Sequence, residues 1–269
     1  MQLKSPVQIT ESVLGAGRSK LALRLPQLIV SSMLAGAYIA LGGALSTICG
    51  FGFPEITAAN PGLQKIISGA TFPIGLILVV VLGAELFTGN NAVLIPGLMR
   101  REHGWRAVLA NWSIVWTANF AGALLFVGFL VAATGIFDTT PYREALTAMA
   151  VKKTSLPWLT VFFRGIGANW CVCLAVWLAL SGHSLTEKMA GCWFPVMAFV
   201  ALGYEHSIAN MFFIPTGMML GAPVSVGSLL LDNLLPATLG NIAGGALFVG
   251  CVYGWIHLKK SKKKSGRDE

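Results

Sequence analysis

Residues 119–128 read Asn-Phe-Ala-Gly-Ala-Leu-Leu-Phe-Val-Gly, and residues 241–250 read Asn-Ile-Ala-Gly-Gly-Ala-Leu-Phe-Val-Gly. Seven of the ten positions agree at an offset of 122. The same offset carries Phe72-Pro73-Ile74 onto Phe194-Pro195-Val196. An offset of 120 carries Glu85 and Asn90 onto Glu205 and Asn210. An offset of 131 carries Leu25-Pro26, Leu28 and Gly36-Ala37 onto Leu156-Pro157, Leu159 and Gly167-Ala168. Apolar segments coincide easily, so no single pair decides. All four in the same order do, and a doubled membrane unit builds its working site where its copies meet.

Composition places the chain in a membrane. It is 55% hydrophobic and 11% charged, with mean hydropathy +0.71, against about 25% charged residues in soluble domains. A signal peptide is not expected, because the first 25 residues hold Lys4, Arg18, Lys20 and Arg24 and no compact apolar run with a cleavage site. The five cysteines have no metal-ligand spacing and read as small packing residues; no metal or other cofactor is expected. The net charge of +8 does not indicate nucleic acid, because six of the nineteen basic residues fall in the last eleven positions. Such a basic tail suits the anionic face of a membrane.

A helix needs about 20 apolar residues to cross the hydrocarbon. Crossings are predicted near 27–48, 69–99, 107–133, 157–180, 188–220 and 236–257. The second and fifth are too long for one straight helix. Gly83, Glu85, Thr88-Gly89-Asn90-Asn91 and Pro96-Gly97 interrupt the second; Gly203, Glu205-His206, Asn210 and Pro215-Thr216-Gly217 interrupt the fifth. Backbone groups freed by such breaks cannot be satisfied by lipid, so breaks persist only against protein or a watery cavity. With the amino terminus inside, fourteen basic residues fall on inner segments and four (Lys65, Arg143, Lys152, Lys153) on outer loops. Both termini are therefore expected in the cytoplasm. Each repeat has three crossings, an odd number, so the second enters the membrane upside down. The expected organisation is a segment 1–25, a transport domain 26–257 with repeats 26–133 and 157–257, and a basic tail 258–269. Residues 6–24 read either as an interfacial anchor or as a gate under a pore, and 134–156 as the longest outer loop.

The polar residues cluster at the breaks. His206 lies deep in the membrane, whereas His103, His183 and His257 lie near its surfaces. An ionisable group inside a span is a functional candidate, and imidazole titrates near pH 6.5 in water. Glu85 and Glu205 stand at matching places before the breaks and are expected to accept hydrogen bonds from freed backbone N–H groups, with Asn90 and Asn210 tying loop backbone. Thr88 corresponds to Ile208, so the site is asymmetric; its hydroxyl either donates to a permeating anion or caps a half-helix. Half-helix amino termini would add positive potential at the midplane. Arg164 either snorkels outward or lines an outer vestibule, where Lys152 and Lys153 would concentrate anions.

The run Gly203-Tyr204-Glu205-His206-Ser207-Ile208-Ala209-Asn210-Met211 resembles the signature of the formate/nitrite transporter family. Glu85-Leu86-Phe87-Thr88-Gly89 resembles its other signature, and Asn169-Trp170-Cys171-Val172-Cys173-Leu174-Ala175-Val176-Trp177 its fourth-helix motif. The resemblance implies an all-α, aquaporin-like fold of six transmembrane helices, with the second and fifth broken, in a homopentamer of the bacterial inner membrane. It further implies His206 as the central histidine, Thr88 as its partner, Lys153 as the outer basic residue and Asn169 as a residue that holds the site. Apolar constrictions would fall on Leu76, Phe87 and Val172 on the outer side, and on Leu86 and Phe199 on the inner side.

The mechanism implied is neutralisation of a small monovalent anion, by proton transfer or a strong hydrogen bond in the Thr88/His206 region, before it crosses an apolar ring. Formate is the expected substrate, then nitrite and hydrosulfide, on the likeness of Ser181-Gly182-His183-Ser184-Leu185 and Asp232-Asn233-Leu234-Leu235-Pro236 to the formate branch. Protons and membrane lipid are the other expected partners. An aquaporin-type water or glycerol channel would need two Asn-Pro-Ala boxes, and Asn-Pro occurs once, as Asn60-Pro61-Gly62. An enzyme would need further His, Cys or Asp near His206, and none is placed to join it.

Overall fold

The computed structural model describes residues 3–258, so most of the basic tail expected at 258–269 lies outside the described residues. Those residues are helical apart from turns and short connections. Helix α1 (Pro6–Leu21) opens with a reciprocal cap in which Ser5 Oγ accepts from the Gln8 N–H and Gln8 Oε1 accepts from the Ser5 N–H. Then follow α2 (Leu25–Phe51), α3 (Pro61–Leu82), α4 (Phe87–Val93), α5 (Trp105–Ala132), α6 (Tyr142–Thr154), α7 (Trp158–Ser181), α8 (Leu185–Leu202), α9 (Ser207–Met219) and α10 (Ser228–His257). Six of these are long and apolar enough to cross a membrane.

The breaks are shorter than the sequence suggests. The first is Gly83–Leu86 and the second Gly203–His206. Gly83 and Gly203 end α3 and α8 in the left-handed region, at φ 73° and 71°, where a side chain would be strained. Thr88 to Asn91 are helical in α4, and Pro215 lies inside a continuous α9. The predicted outer loop 134–156 also contains a helix, α6. It packs on α9 because Gly217 lacks the Cβ that would meet the Leu146 carbonyl oxygen.

The two copies stand inverted, and glycines set their internal packing. Methyl groups at Gly36 and Gly122 would run into the Asn119 and Met33 carbonyls, so α2 and α5 cross backbone to backbone. Gly240 and Gly244 seat α10 on the Phe162 and Ile166 carbonyls of α7 in the same way. Gly122 and Gly244 are related by the offset of the opening decapeptides. Gly122→Ala and Gly244→Ala are each expected to cost about 1–3 kcal/mol by overpacking, read as a lower midpoint of thermal unfolding in detergent. A variant with wild-type stability would contradict the close crossing.

α2 has 27 residues and spans about 40 Å. Its start sits beside α1 and its end near α6, so these two helices mark opposite faces of the molecule, the α1 face and the α6 face. α3 runs toward the α1 face, and α8, inverted, runs toward the α6 face.

Candidate functional site

Two asparagines account for the freed backbone at the breaks. Asn119 Oδ1 accepts from the Phe87 N–H at 2.9 Å, while its Nδ2 donates to the Ser32 and Glu85 carbonyls at 2.7 and 2.9 Å. Asn241 repeats this: Oδ1 accepts from the Ser207 N–H at 2.8 Å, and Nδ2 donates to the Gly165 and Glu205 carbonyls at 2.8 and 3.0 Å. These are the residues that open the two matched decapeptides. The expectation that Glu85 and Glu205 serve the freed N–H groups is therefore corrected. An amide side chain offers an acceptor and two donors at once, whereas a carboxylate could not have satisfied the two carbonyls.

The carboxylates are instead held by side chains. Glu85 accepts from Lys20 Nζ at 2.8 Å and from Asn90 Nδ2 at 2.9 Å, and Asn90 Nδ2 also reaches Asn111 Oδ1 at 2.9 Å. Both oxygens of Glu205 accept from Lys153 Nζ at 3.0 Å. Its Oε2 also accepts from Asn210 Nδ2 at 2.6 Å and Asn233 Nδ2 at 3.3 Å. Asn90 and Asn210 thus support carboxylates, not loop backbone. Lys20, Asn111 and Asn233 escaped the sequence reading. The signal for Lys20 was an offset of 133 from Lys153, close to that of Leu25-Pro26. Lys153 is not a freely solvated collector of anions: it ends α6, 14% exposed, with its charge on Glu205.

Between the breaks, His206 Nε2 lies 3.0 Å from Thr88 Oγ1. His206 is the N-cap of α9, and its Nδ1 accepts from the Ala209 N–H at 3.1 Å. A backbone N–H can only donate, so the neutral ring carries its proton on Nε2 and donates it to Thr88. The Thr88 hydroxyl hydrogen is then free for another acceptor. Asn169 Nδ2 lies within reach of the Asn241 carbonyl (2.6 Å), the Thr88 carbonyl (3.1 Å) and Asn91 Oδ1 (3.2 Å), tying α7 to α4 and α10. Thr88 and Asn169 are fully buried and His206 is 2% exposed.

Two cavities approach this pair from opposite faces. That on the α6 face, about 210 Å³, is lined by Phe72, Phe213, Phe199 and His206 with Lys65, Lys152, Lys153, Glu205 and Arg164. Phe199 stacks on the imidazole, ring centroids 5.7 Å apart, and meets Phe72 edge-on at 5.9 Å. The cavity on the α1 face, about 320 Å³, is lined by Leu76, Val79, Leu86, Val176, Lys20 and Glu85. Arg164 therefore lines the α6-face cavity, one of its two expected places.

The sides expected for two apolar residues are corrected. Leu76, expected on the outer side with Lys153, lines the α1-face cavity. Phe199, expected on the inner side, lines the α6-face cavity. The cause is helix direction: the last two turns of α3, which hold Leu76, open toward α1, and the last turn of α8, which holds Phe199, opens toward α6. Phe72 and Leu76 are one turn apart on α3 yet line opposite cavities, so the neck lies within about 6 Å. Leu86 lines the α1-face cavity, while Phe87 and Val172 line neither; Phe87 packs edge-on against Trp112 at 6.4 Å.

α1 lies over the α1-face cavity. Arg18 donates to both oxygens of Glu102, at 2.8 and 2.6 Å, and Arg100 pairs with Glu11 at 2.5 Å. The Arg18 hydrogen bond and charge hold the Glu102 carboxyl below the usual carboxylate range. Val13 and Leu14 are buried, so one face of the helix is docked on protein.

Two inverted sets of three spans, each broken at a matched glycine around one buried imidazole–hydroxyl pair, define a membrane transporter built from broken helices. The sequence matches the formate/nitrite transporter model over residues 7–255, and the chain belongs to that family. A probable formate transporter of Methanothermobacter thermautotrophicus is 41% identical, over 96% of this chain and 98% of its own. A formate channel of Bacillus thuringiensis is 36% identical, over 94% and 95%. A solved pentameric formate channel with formate bound matches with a TM-score of 0.79 at 32% identity, over 87% of this chain and 98% of its own.

Proposed function

We propose that the chain is a homopentameric formate channel with one conduction path per subunit, its α1 face toward the cytoplasm, and that nitrite and hydrosulfide are secondary substrates. The observation that carries the reading is the His206–Thr88 hydrogen bond, buried between two cavities and beside an aromatic neck. The α6-face cavity has four basic residues against one carboxylate, which attracts anions. An anion leaving water for the ring of Phe72, Phe199 and Phe213 loses its hydration, a cost of tens of kcal/mol for an isolated ion. Desolvation also makes the anion a stronger base.

Thr88 lowers that cost by donating its free hydroxyl hydrogen to the anion, while His206 Nε2–H polarises it. Passing the ring proton on entirely would leave an imidazolate, and refilling the ring at Nδ1 would set an N–H against the Ala209 N–H. The neutralising proton therefore comes from hydronium in the vestibule and returns to water beyond the neck, so one proton crosses with each anion. The acid crosses the neck past Leu76 and Leu86 and loses its proton in the α1-face cavity. Asn169 holds the Thr88 carbonyl and so the hydroxyl's position.

Uptake of labelled formate into liposomes across a pH series tests this. Wild-type uptake is expected to rise as pH falls. His206→Phe is expected to lose at least about tenfold in rate, the worth of one hydrogen bond to a charged group. Formate flux through His206→Phe with unchanged rate and pH dependence would defeat the proposal, as would rapid water flux without formate flux in the wild type.

A further inference from the structure

We infer that Arg164 is the specificity-determining residue of the α6-face cavity, receiving a planar two-oxygen monoanion edge-on before it reaches Thr88 and disfavouring single-centre anions such as hydrosulfide or chloride. The inference rests on the channel reading and adds a selection step to it.

Five observations place it there. Arg164 lines the same cavity as Phe199 and His206. Its carbonyl accepts from the Glu205 N–H at 3.3 Å, so its backbone lies beside the second break, against the residue that precedes His206. It is half-buried, whereas Lys65 and Lys152 at the rim are exposed. Lys153 is already committed to Glu205 at 3.0 Å. Among the described residues no carboxylate lies within 4 Å of the Arg164 guanidinium and no side-chain hydrogen bond engages it, although buried polar side chains around it are densely paired.

A half-buried guanidinium at the wall of a cavity, with no carboxylate on it, is an open docking point for an anion. Its rigid fork offers two parallel N–H donors, a match for the O–X–O edge of formate or nitrite; a single-centre anion can take only the charge. The lysines offer point charges and no such geometry. Recognition by Arg164 is therefore a matter of shape, and the rim lysines supply only local concentration.

The test measures KM and maximal rate for formate, nitrite and hydrosulfide with wild type and Arg164→Lys in liposomes. Lysine keeps the charge and loses the fork. The KM for formate and nitrite is expected to rise about tenfold, and that for hydrosulfide by less than about twofold. An equal change for all three anions, or no change, overturns the inference. A wild type that carries none of them defeats the channel reading instead. If Arg164→Lys does not elute as the wild-type oligomer, competition on the wild type decides: nitrite is expected to block labelled formate uptake at concentrations where chloride does not, and equal block by chloride overturns the inference.

Discussion

Asn241→Ala is expected to give a protein that loses transport and most of its thermal stability, a larger loss than any change at His206 itself. The substitution strips the partner from two buried backbone groups at once, the Ser207 N–H and the Glu205 carbonyl, and removes a second bond to the Gly165 carbonyl inside α7. Each buried orphan costs about 1–3 kcal/mol, and the whole fold is worth only about 5–15 kcal/mol. Water cannot repair the loss, because Asn241 is fully buried. Asn241→Asp is expected to be no better: it keeps the acceptor for Ser207 but sets a second acceptor against two carbonyls. His206→Phe removes one side-chain pair and one cap bond and is expected to remain folded. Thermal unfolding followed by size-exclusion in detergent compares the three. An Asn241→Ala protein with wild-type stability and flux would refute the role given to this residue.

That asparagine also shows where sequence reading reached its limit. The inverted duplication, the six spans and the breaks at Gly83 and Gly203 follow from composition, glycine placement and the two decapeptides. Asn119 and Asn241 head those decapeptides in plain view, yet their role depends on a contact made 32 to 36 residues away, from Asn119 to Phe87 and from Asn241 to Glu205. Nothing in the periodicity of α5 or α10 announces it. Lys20 was hidden for a related reason. A lysine ending an amphipathic terminal helix looks solvated, and only docking of α1 brings it 2.8 Å from Glu85. The sides of Leu76 and Phe199 required the direction of each broken helix and the depth of the neck, both of them properties of the assembled pair of repeats. His206 could be singled out as an ionisable group deep in a span, and Thr88 as a polar group at the first break; their partnership was implied only by the family signatures.

The ion pair at the second break separates stability from transport. Lys153→Met leaves Glu205 buried at 2% exposure with only Asn210 and Asn233 as donors, an expected loss of about 3–5 kcal/mol. Glu205→Gln alone strands the Lys153 ammonium and costs a similar amount. The double variant removes both charges and is expected to recover most of the stability, giving a coupling energy well above the near-additivity of distant sites. Lys20→Met is expected to cost less than Lys153→Met. Lys20 is 20% exposed against 14% for Lys153 and bonds one carboxylate oxygen where Lys153 bonds two. Flux is expected to follow a different order. The double variant loses the Lys153 ammonium at the cavity wall, 14% exposed, together with the deeper Glu205 carboxylate, 3% exposed. The positive charge facing the α6-face cavity then rests on Arg164 and the rim lysines, and formate uptake should stay below wild type at low salt despite the restored fold. Thermal unfolding and formate uptake on the four proteins of this cycle measure both quantities. Additive stability losses would show that Lys153 and Glu205 do not act as a pair, and full recovery of uptake in the double variant would show that the Lys153 charge has no part in anion entry.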